Sequence, residues 1–583
     1  MATESMSSSK KYLVTSALPY ANGPLHFGHL AGVYLPADVY TRHLKMMGKT
    51  AIHISGSDEH GVAIMLNANK AGVAYQEYVD SWHKEHKELF DQFKVEFDFF
   101  GQTSSDYHEK EVIEWFHALN DKGLIETKET QQLQCQDCHS HLPDRFVSGT
   151  CYECGYENAR GDECPNCGIL IDPIRLLKPQ CQICTSHNIS PVNVTQYYLM
   201  LSKFESEFNS WLEGREVVWR NTVFPFVKAL CKDGLQDRAI SRDLDWGIDV
   251  PLAEARGKKL YVWFDAPIGY VSNTKKMLEQ SGETDPDAYL KDWWQNKDAE
   301  IVHFIGKDNI IFHCIIFPCM SMASQRALPA YDVPANQYLN LEGKQFSKSS
   351  GWYVDAKEAI DTVGADALRY YLLSILPETS DSSFTWSGLQ ARLNGELANN
   401  IGNLVSRCLK FWAKKWPEGL KAEHFQGFFD SDIYKRLQEL NRQQHHLIEE
   451  KHIRRALESY MLAGHEVNGH FTELAPWASF KTDPDSAAKT IGETSLMILV
   501  LGAMARPFLP DLSEKICKCF GLSFDDNTST TLESIYRGDF DKIKDLVKEG
   551  LSLAESPQIL VPKIEDHLVE EMNEKLKAKT SES

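Results

Sequence analysis

Two imidazoles stand three residues apart in His26-Phe27-Gly28-His29, directly after the turn-rich stretch Pro19-Tyr20-Ala21-Asn22-Gly23-Pro24. At that spacing, side chains in a first helical turn face the same way. A β-rich run, Tyr12 to Ala17, leads in, and an apolar helix-like run, Leu30 to Met47, leads out. The histidines therefore sit where a strand ends and a helix begins. In an open α/β sheet that junction is the ligand crevice, and the helix N-terminus offers free N–H groups and positive dipole to a phosphate. Gly28 permits close approach. The pattern reads as a nucleotide site that stabilises a phosphoryl transition state; the plainer reading is two surface histidines in a turn.

Other segments supply complementary chemistry. Thr50 to Ser55 reads as a second strand, ending in Gly56-Ser57-Asp58-Glu59-His60-Gly61. Strand, helix, strand at this spacing is a βαβ unit, hence a parallel sheet. Asp58 beyond the strand end can bind a ligand cation or cap the next helix. A buried strand is expected over 259–270, with Trp263 and Tyr270 near its end, and another over Ile301 to Ile305. The latter ends in Gly306-Lys307-Asp308, a close-approach glycine with a carboxylate suited to ribose hydroxyls; a helix with His313 follows. In Gly343-Lys344-Gln345-Phe346-Ser347-Lys348-Ser349-Ser350-Gly351, glycines flank a Ser-Lys-Ser core, a mobile loop with one committed cation, Lys348, and two hydroxyls. Such a loop suits a pyrophosphate leaving group gripped mainly in the transition state.

Eight of the fourteen cysteines form four Cys-x-x-Cys pairs, Cys135/Cys138, Cys151/Cys154, Cys164/Cys167 and Cys181/Cys184. Four such pairs specify two four-thiolate zinc sites, structural because no coordination place stays open. Spacing leaves two arrangements open, neighbouring pairs combining or the inner four nesting within the outer four. The clustering argues for reduced thiols rather than a disulfide framework.

These elements need a scaffold, and 583 residues is too long for one core. Net charge of −21 argues against general nucleic-acid affinity, although local basic patches remain available. No apolar run reads as membrane-length, and the Ser-rich start, 1–10, reads as a disordered tail rather than a targeting signal. Amphipathic helices are expected over 76–94 and 107–121. From about 386 strand signals vanish, and helical periodicity over 388–415, 430–464, 467–480 and 486–506 indicates a bundle. There Asn403, Arg407, Lys410 and Lys414 make one polar-basic face, with Trp412 and Trp416 interleaved and Pro476-Trp477 at a bend. Such a face can stack and read single-stranded bases, or be solvated over core tryptophans. The last segment, Glu565 to Lys579, is a charged amphipathic helix that docks back or binds a partner.

Taken in order, these motifs, with Leu142-Pro143-Asp144-Arg145-Phe146, Ile240-Ser241-Arg242-Asp243 and Trp263-Phe264-Asp265-Ala266-Pro267-Ile268-Gly269-Tyr270, are specific. From Lys11 to Leu512 the chain resembles the methionyl-tRNA synthetases, class I aminoacyl-tRNA synthetases. The resemblance implies an α/β class I Rossmann-like parallel sheet (11–125 and 216–330) carrying a zinc-knuckle insertion (126–215). It further implies a stem-contact region with the mobile loop (331–385), an all-α anticodon-binding bundle (386–530) and a helical tail (531–583).

It also implies a reaction: L-methionine and Mg2+-ATP give methionyl-adenylate, and the methionyl group passes to methionine tRNA, initiator and elongator. His26, His29 and Lys348 would be catalytic, with Gly28, Gly306, Asp308, Ser347 and Ser349 completing the ATP site. Asp58 would hold the methionine ammonium, in preference to capping. Ala17, Leu18, Tyr20, Trp263, Ala266, Tyr270 and His313 would form the side-chain pocket. Asn403, Arg407 and Trp477 would read the anticodon, and zinc pairing would be nested. The loop departs from the family at Gln345, Phe346 and Ser350, but Lys348 is in place. The insert is short and leaves no room for an editing domain between 215 and 255, unlike the isoleucine, leucine and valine enzymes. With no appended oligonucleotide-binding barrel seen after the bundle, a monomer is expected, and the reduced thiols read as those of a cytoplasmic protein.

Overall fold

The computed structural model describes residues 10–161, 164–167, 169, 171–346, 351–555 and 558–581. Residues 1–9, most of the expected tail, lie outside them, as do Ser347, Lys348 and Ser349 of the loop. Lys10 is placed, its Nζ 2.5 Å from Glu300.

A five-stranded parallel sheet organises the first half. From one edge, its strands are Phe99–Gln102, Thr50–Ser57, Lys11–Ser16, Ala299–Gly306 and Ala335–Asn336. That is strand order 3-2-1-4-5, whose topological switch point falls between Lys11–Ser16 and Ala299–Gly306. The strands are buried on both faces, as a parallel sheet covered by helices requires. The amphipathic helices expected over 76–94 and 107–121 occur at Tyr75–Gln92 and Asp106–Asn120.

From His26 onward the chain forms one helical rod. A short α-turn, Phe27–His29, passes into a π-helical turn, Leu30–Tyr34, and then into the α-helix Leu35–Met46. Its far end meets the bundle, where His43 Nδ1 lies 2.7 Å from the Tyr536 hydroxyl. Beside it, the fully buried Arg369 donates to Asp38 Oδ2 (2.8 Å), the Phe93 carbonyl (3.0 Å) and the Pro507 and Phe508 carbonyls (3.1 and 2.7 Å). One continuous apolar core runs through sheet and bundle.

Three expectations are corrected. The run 259–270 is not a buried strand: only Lys258–Leu260 is extended, paired antiparallel with Ser241–Asp243. Helix begins at Val262, turns tighter at Ala266–Ile268 and continues through Gly269–Gln280. A short apolar run has no period to separate buried strand from buried helix. Second, helices at Asp432–Glu449 and Ile453–Leu474 replace 430–464 and the first part of 467–480. The break is at Lys451, whose φ of +57° no helix accommodates. Third, Pro484–Ala505 is long and apolar enough to cross a membrane, but 83% of its most apolar stretch is buried as the bundle's central helix. The C-terminal helix Asp566–Ser581 docks back on the body, burying Met572 and Leu576 and pairing Lys575 with Glu358 at 2.9 Å.

Candidate active site and cysteine knuckles

The turn after Lys11–Ser16 is zipped to the end of Thr50–Ser57. Asp58 N–H donates to the Pro19 carbonyl (2.9 Å), and Ala21 N–H to the Asp58 carbonyl (2.8 Å). This places Asp58 alongside the histidine turn, at the carboxyl ends of both strands. The residue is 6% exposed, and its Oδ1 is buried with no hydrogen-bond partner among the described residues. Burial, with nearby Asp265 adding repulsion, pushes this carboxyl well above its usual range.

The two histidines orient each other. His26 caps its helix by accepting from Gly28 N–H at Nδ1 (3.1 Å), and His26 N–H donates to Nδ1 of His29 (3.1 Å). With both Nδ1 atoms accepting, each ring proton resides on Nε2, which makes both imidazoles outward donors. A Cβ at Gly28 would lie 2.9 Å from the His26 ring, so glycine is what lets the ring fold back over its own helix. At the switch point a Cβ at Gly306 would stand 2.5 Å from Asp308 Oδ1. Burial raises the Asp308 carboxyl.

All of these groups line one cavity of about 800 Å³. Ala17, Leu18, Tyr20, His26, Gly28, His29 and Asp58 come from the first two strand ends; Trp263, Ala266 and Tyr270 from the second half; and Gly306, Asp308 and His313 from its closing strand and helix. Every described residue expected to bind ATP or methionine is therefore brought together. Trp263 stacks on Phe312 with centroids 3.6 Å apart. His313 Nδ1 lies 3.1 Å from the Asn309 carbonyl, and its Nε2 lies 2.8 Å from the Tyr270 hydroxyl. The carbonyl only accepts, so Nδ1 carries the proton and Tyr270 donates to Nε2; burial pushes His313 down to about 4, which keeps it neutral.

Several lining residues were not anticipated. Arg145 and Pro165 reach in from the cysteine insertion. Arg145 lies within the Leu142–Phe146 motif, which could have flagged it; Pro165 gave no sign beyond its place between Cys164 and Cys167. Gln337, Tyr338 and Asn340 also line the cavity, from a connection without a sequence signature.

The eight cysteines gather as Cys135, Cys138, Cys181 and Cys184, and as Cys151, Cys154, Cys164 and Cys167, each with its sulfurs within 4.8 Å of one another. The pairing is nested. Sulfurs approach to 3.5 Å (Cys135–Cys184), 3.8 Å (Cys138–Cys181), 3.9 Å (Cys151–Cys167) and 3.6 Å (Cys154–Cys164). A tetrahedron with metal–sulfur bonds of about 2.3 Å has edges of about 3.8 Å, so both tetrads fit a tetrahedral thiolate-bound ion. Leu133, Leu142, Phe146 and Val147 make the insertion's own small core around them.

In the bundle, Arg407 lies over the Trp477 ring at 4.6 Å from its centroid, and Trp477 is 40% exposed. Asn403 is exposed one helical turn before Arg407. Trp412, by contrast, is core at 1% exposure, as its alternative reading anticipated.

A family model for class I tRNA synthetases (M) matches residues 12–409, and one for the anticodon binding domain of methionyl tRNA ligase matches 417–581. The chain belongs to the methionyl-tRNA synthetase family. The methionine–tRNA ligase of Chloroherpeton thalassium is 38% identical over 575 residues, 96% of this chain and 80% of its own. That of Pyrococcus furiosus is 40% identical over 527 residues, 87% of this chain and 71% of its own. Mycobacterium tuberculosis methionyl-tRNA synthetase, solved in complex with methionyl-adenylate, matches with a TM-score of 0.74 at 22% identity, covering 95% of this chain and 100% of that one. At that identity the likeness is one of fold.

Proposed function

We propose the residue roles by which this chain carries out its family's reaction: ATP-dependent activation of L-methionine to methionyl-adenylate and transfer of the methionyl group to the 3′ end of methionine tRNA. In the first step a methionine carboxylate oxygen attacks the α-phosphorus as the bond to pyrophosphate breaks. No protein nucleophile or proton acceptor is needed, and positioning and charge stabilisation supply the rate. His26 and His29 donate from Nε2 to phosphate oxygens. Ser347, Lys348 and Ser349 grip the departing pyrophosphate, and Mg2+ accompanies ATP. Gly28 and Gly306 admit the nucleotide, and Asp308 accepts from its ribose.

The observation that carries this reading is the buried Asp58 Oδ1, without a hydrogen-bond partner among the described residues, in the same cavity as the two histidines. A buried carboxylate is costly until a cation reaches it, and the α-ammonium of an amino acid fits. The thioether then lies among Tyr20, Trp263, Tyr270 and His313, with Ala17, Leu18 and Ala266 setting the pocket's depth. Sulfur favours aromatic edges. Because one methylene is worth only about 1–3 kcal/mol, the fixed Tyr270–His313 pair adds polar discrimination against leucine.

Asn403, Arg407 and Trp477 read the anticodon by hydrogen bonding and stacking. Each cysteine tetrad holds a structural Zn2+. The domain limits are those drawn from the sequence, and the protein works as a cytoplasmic monomer on initiator and elongator tRNA. ATP–pyrophosphate exchange measured with each amino acid separately tests the core of this reading. Methionine is expected to drive exchange; exchange driven by leucine or isoleucine instead would overturn it.

A further inference from the structure

We infer that Lys451 is a positioning residue that pins the tip of a helical hairpin to the catalytic sheet, so that tRNA held at the hairpin's far end adjusts the turn beneath His29. The inference rests on the anticodon reading of Arg407 and Trp477.

The hairpin is Asp432–Glu449 and Ile453–Leu474. Its second helix has 22 residues, about 33 Å at 1.5 Å per residue. At the C-terminal end Phe471 lies 5.7 Å from the Trp477 ring, and Thr472 Oγ1 accepts from Arg407 at 3.3 Å. At the other end, Lys451 plugs into the catalytic half at 8% exposure. Its ammonium lies 3.2 Å from Asp332, just before the edge strand Ala335–Asn336, and 3.6 Å from Glu300, at the start of the neighbouring strand Ala299–Gly306. Its φ of +57° is a left-handed conformation that a lysine keeps only when its surroundings impose it.

From there three hydrogen bonds lead to the cavity. Arg220 Nη2 donates to the Lys451 carbonyl (2.9 Å), and Nη1 donates to Asn336 Oδ1 (2.7 Å). Asn336 Nδ2 donates to the Gly32 carbonyl (2.7 Å). Gly32 lines the cavity and belongs to the π-helical turn that follows His29; such turns recur at functional sites. A second tie runs in parallel: Arg454 N–H donates to Glu378 Oε1 (3.1 Å), and the Glu378 carbonyl accepts from Arg220 (3.4 Å). Asn336 is 1% exposed. Buried bonds of this kind are expensive to leave unmade. If the tip shifts, either Arg220 and Asn336 follow it and carry the Gly32 turn, or a buried group loses its partner.

The test uses the full-length enzyme, Lys451→Met, and two tRNA transcripts, methionine tRNA and the same molecule with its CAU anticodon replaced. In the parent enzyme the replacement is expected to lower kcat about tenfold, an ordinary size for coupled sites, besides raising KM for tRNA. In Lys451→Met the kcat difference between the two tRNAs is expected to fall to about twofold or less, with the KM difference and tRNA-free exchange retained. Lys451→Arg should restore the parent pattern. Should Lys451→Met fold poorly, Asn336→Asp keeps the Arg220 acceptor but loses the donor to Gly32, and the same collapse of the kcat difference is expected. A retained kcat difference, or a parallel fall with both tRNAs and in tRNA-free exchange, overturns the inference. So does a parent kcat indifferent to the anticodon. Failure of the anticodon reading shows separately, as an unchanged tRNA KM in Trp477→Ala.

Discussion

His26 stacks face to face on Phe346, with ring centroids 4.5 Å apart and planes 2° from parallel. Phe346 immediately precedes the Ser-Lys-Ser segment, so the residue before that segment is seated on one of the two imidazoles proposed to face phosphate. Phe346→Ala is expected to lower the rate of adenylate formation roughly 2- to 12-fold, the worth of an aromatic pair at about 0.5–1.5 kcal/mol. Single-turnover adenylate formation at saturating ATP and methionine measures it; an unchanged rate would show that the stack does not matter for chemistry.

His29→Ala removes the donor proposed to act on developing phosphate charge. Adenylate formation should slow by roughly 100- to 1,000-fold, while methionine binding, measured calorimetrically without ATP, stays within about twofold of parent. A loss seen mainly in methionine affinity would contradict the assigned role.

Asp58 gives a pH signature. Its carboxyl is held well above the ordinary 3.8 by burial and Asp265. A group that binds its proton more tightly folded than unfolded stabilises the fold fully below 3.8, and that contribution is lost as pH rises through the raised folded value. In the proposed role bound methionine supplies the counter-charge, so the Tm increase it produces should grow with pH across the same window, and that growth should vanish in Asp58→Asn. The substitution should also raise the methionine KM roughly thirtyfold or more, from the ≥ about 2 kcal/mol typical of losing one member of a buried charge pair. Thermal melts with and without methionine at several pH values decide the matter.

Trp477→Ala should spare methionine-driven exchange and weaken charging. Loss of one base stack costs about 1–3 kcal/mol, which places the expected rise in tRNA KM at roughly 5- to 150-fold. Aminoacylation kinetics with unaltered KM would remove Trp477 from the anticodon site.

Metal analysis should find two zinc ions per chain. Chelation should unfold the region 135–184, read as lost hydrogen-exchange protection confined there at first. Exchange activity should fall with it, because Pro165 and Arg145 of that insertion line the cavity. Activity that survives complete chelation would separate the knuckles from the site.

The parallel sheet and its site were legible because strand ends, glycines and titratable residues fall at short, regular spacings. His26 and His29, Asp58, and Gly306 with Asp308 each follow a strand by a few residues, and sheet topology alone carries them to one crevice. The segment 259–270 reads as strand because its short aromatic run, interrupted only by Asp265, reveals no period, whereas helix starts at Val262. Nesting of the cysteine pairs was beyond spacing arguments, since it depends on Ile125–Cys135 pairing along Ile189–Leu199 and bringing Cys135 beside Cys184. Lys451, Arg220 and Asn336 left no trace in the sequence: they lie 231 and 116 residues apart along the chain and meet only on folding.

Arg369 spends one guanidinium on both lobes at once, bonding carbonyls and a carboxylate contributed by either side. Neither lobe can peel away without abandoning a charge in a dry interior. Heating should therefore melt the two together in a single calorimetric peak, and fragments cut between them should be poor folders on their own.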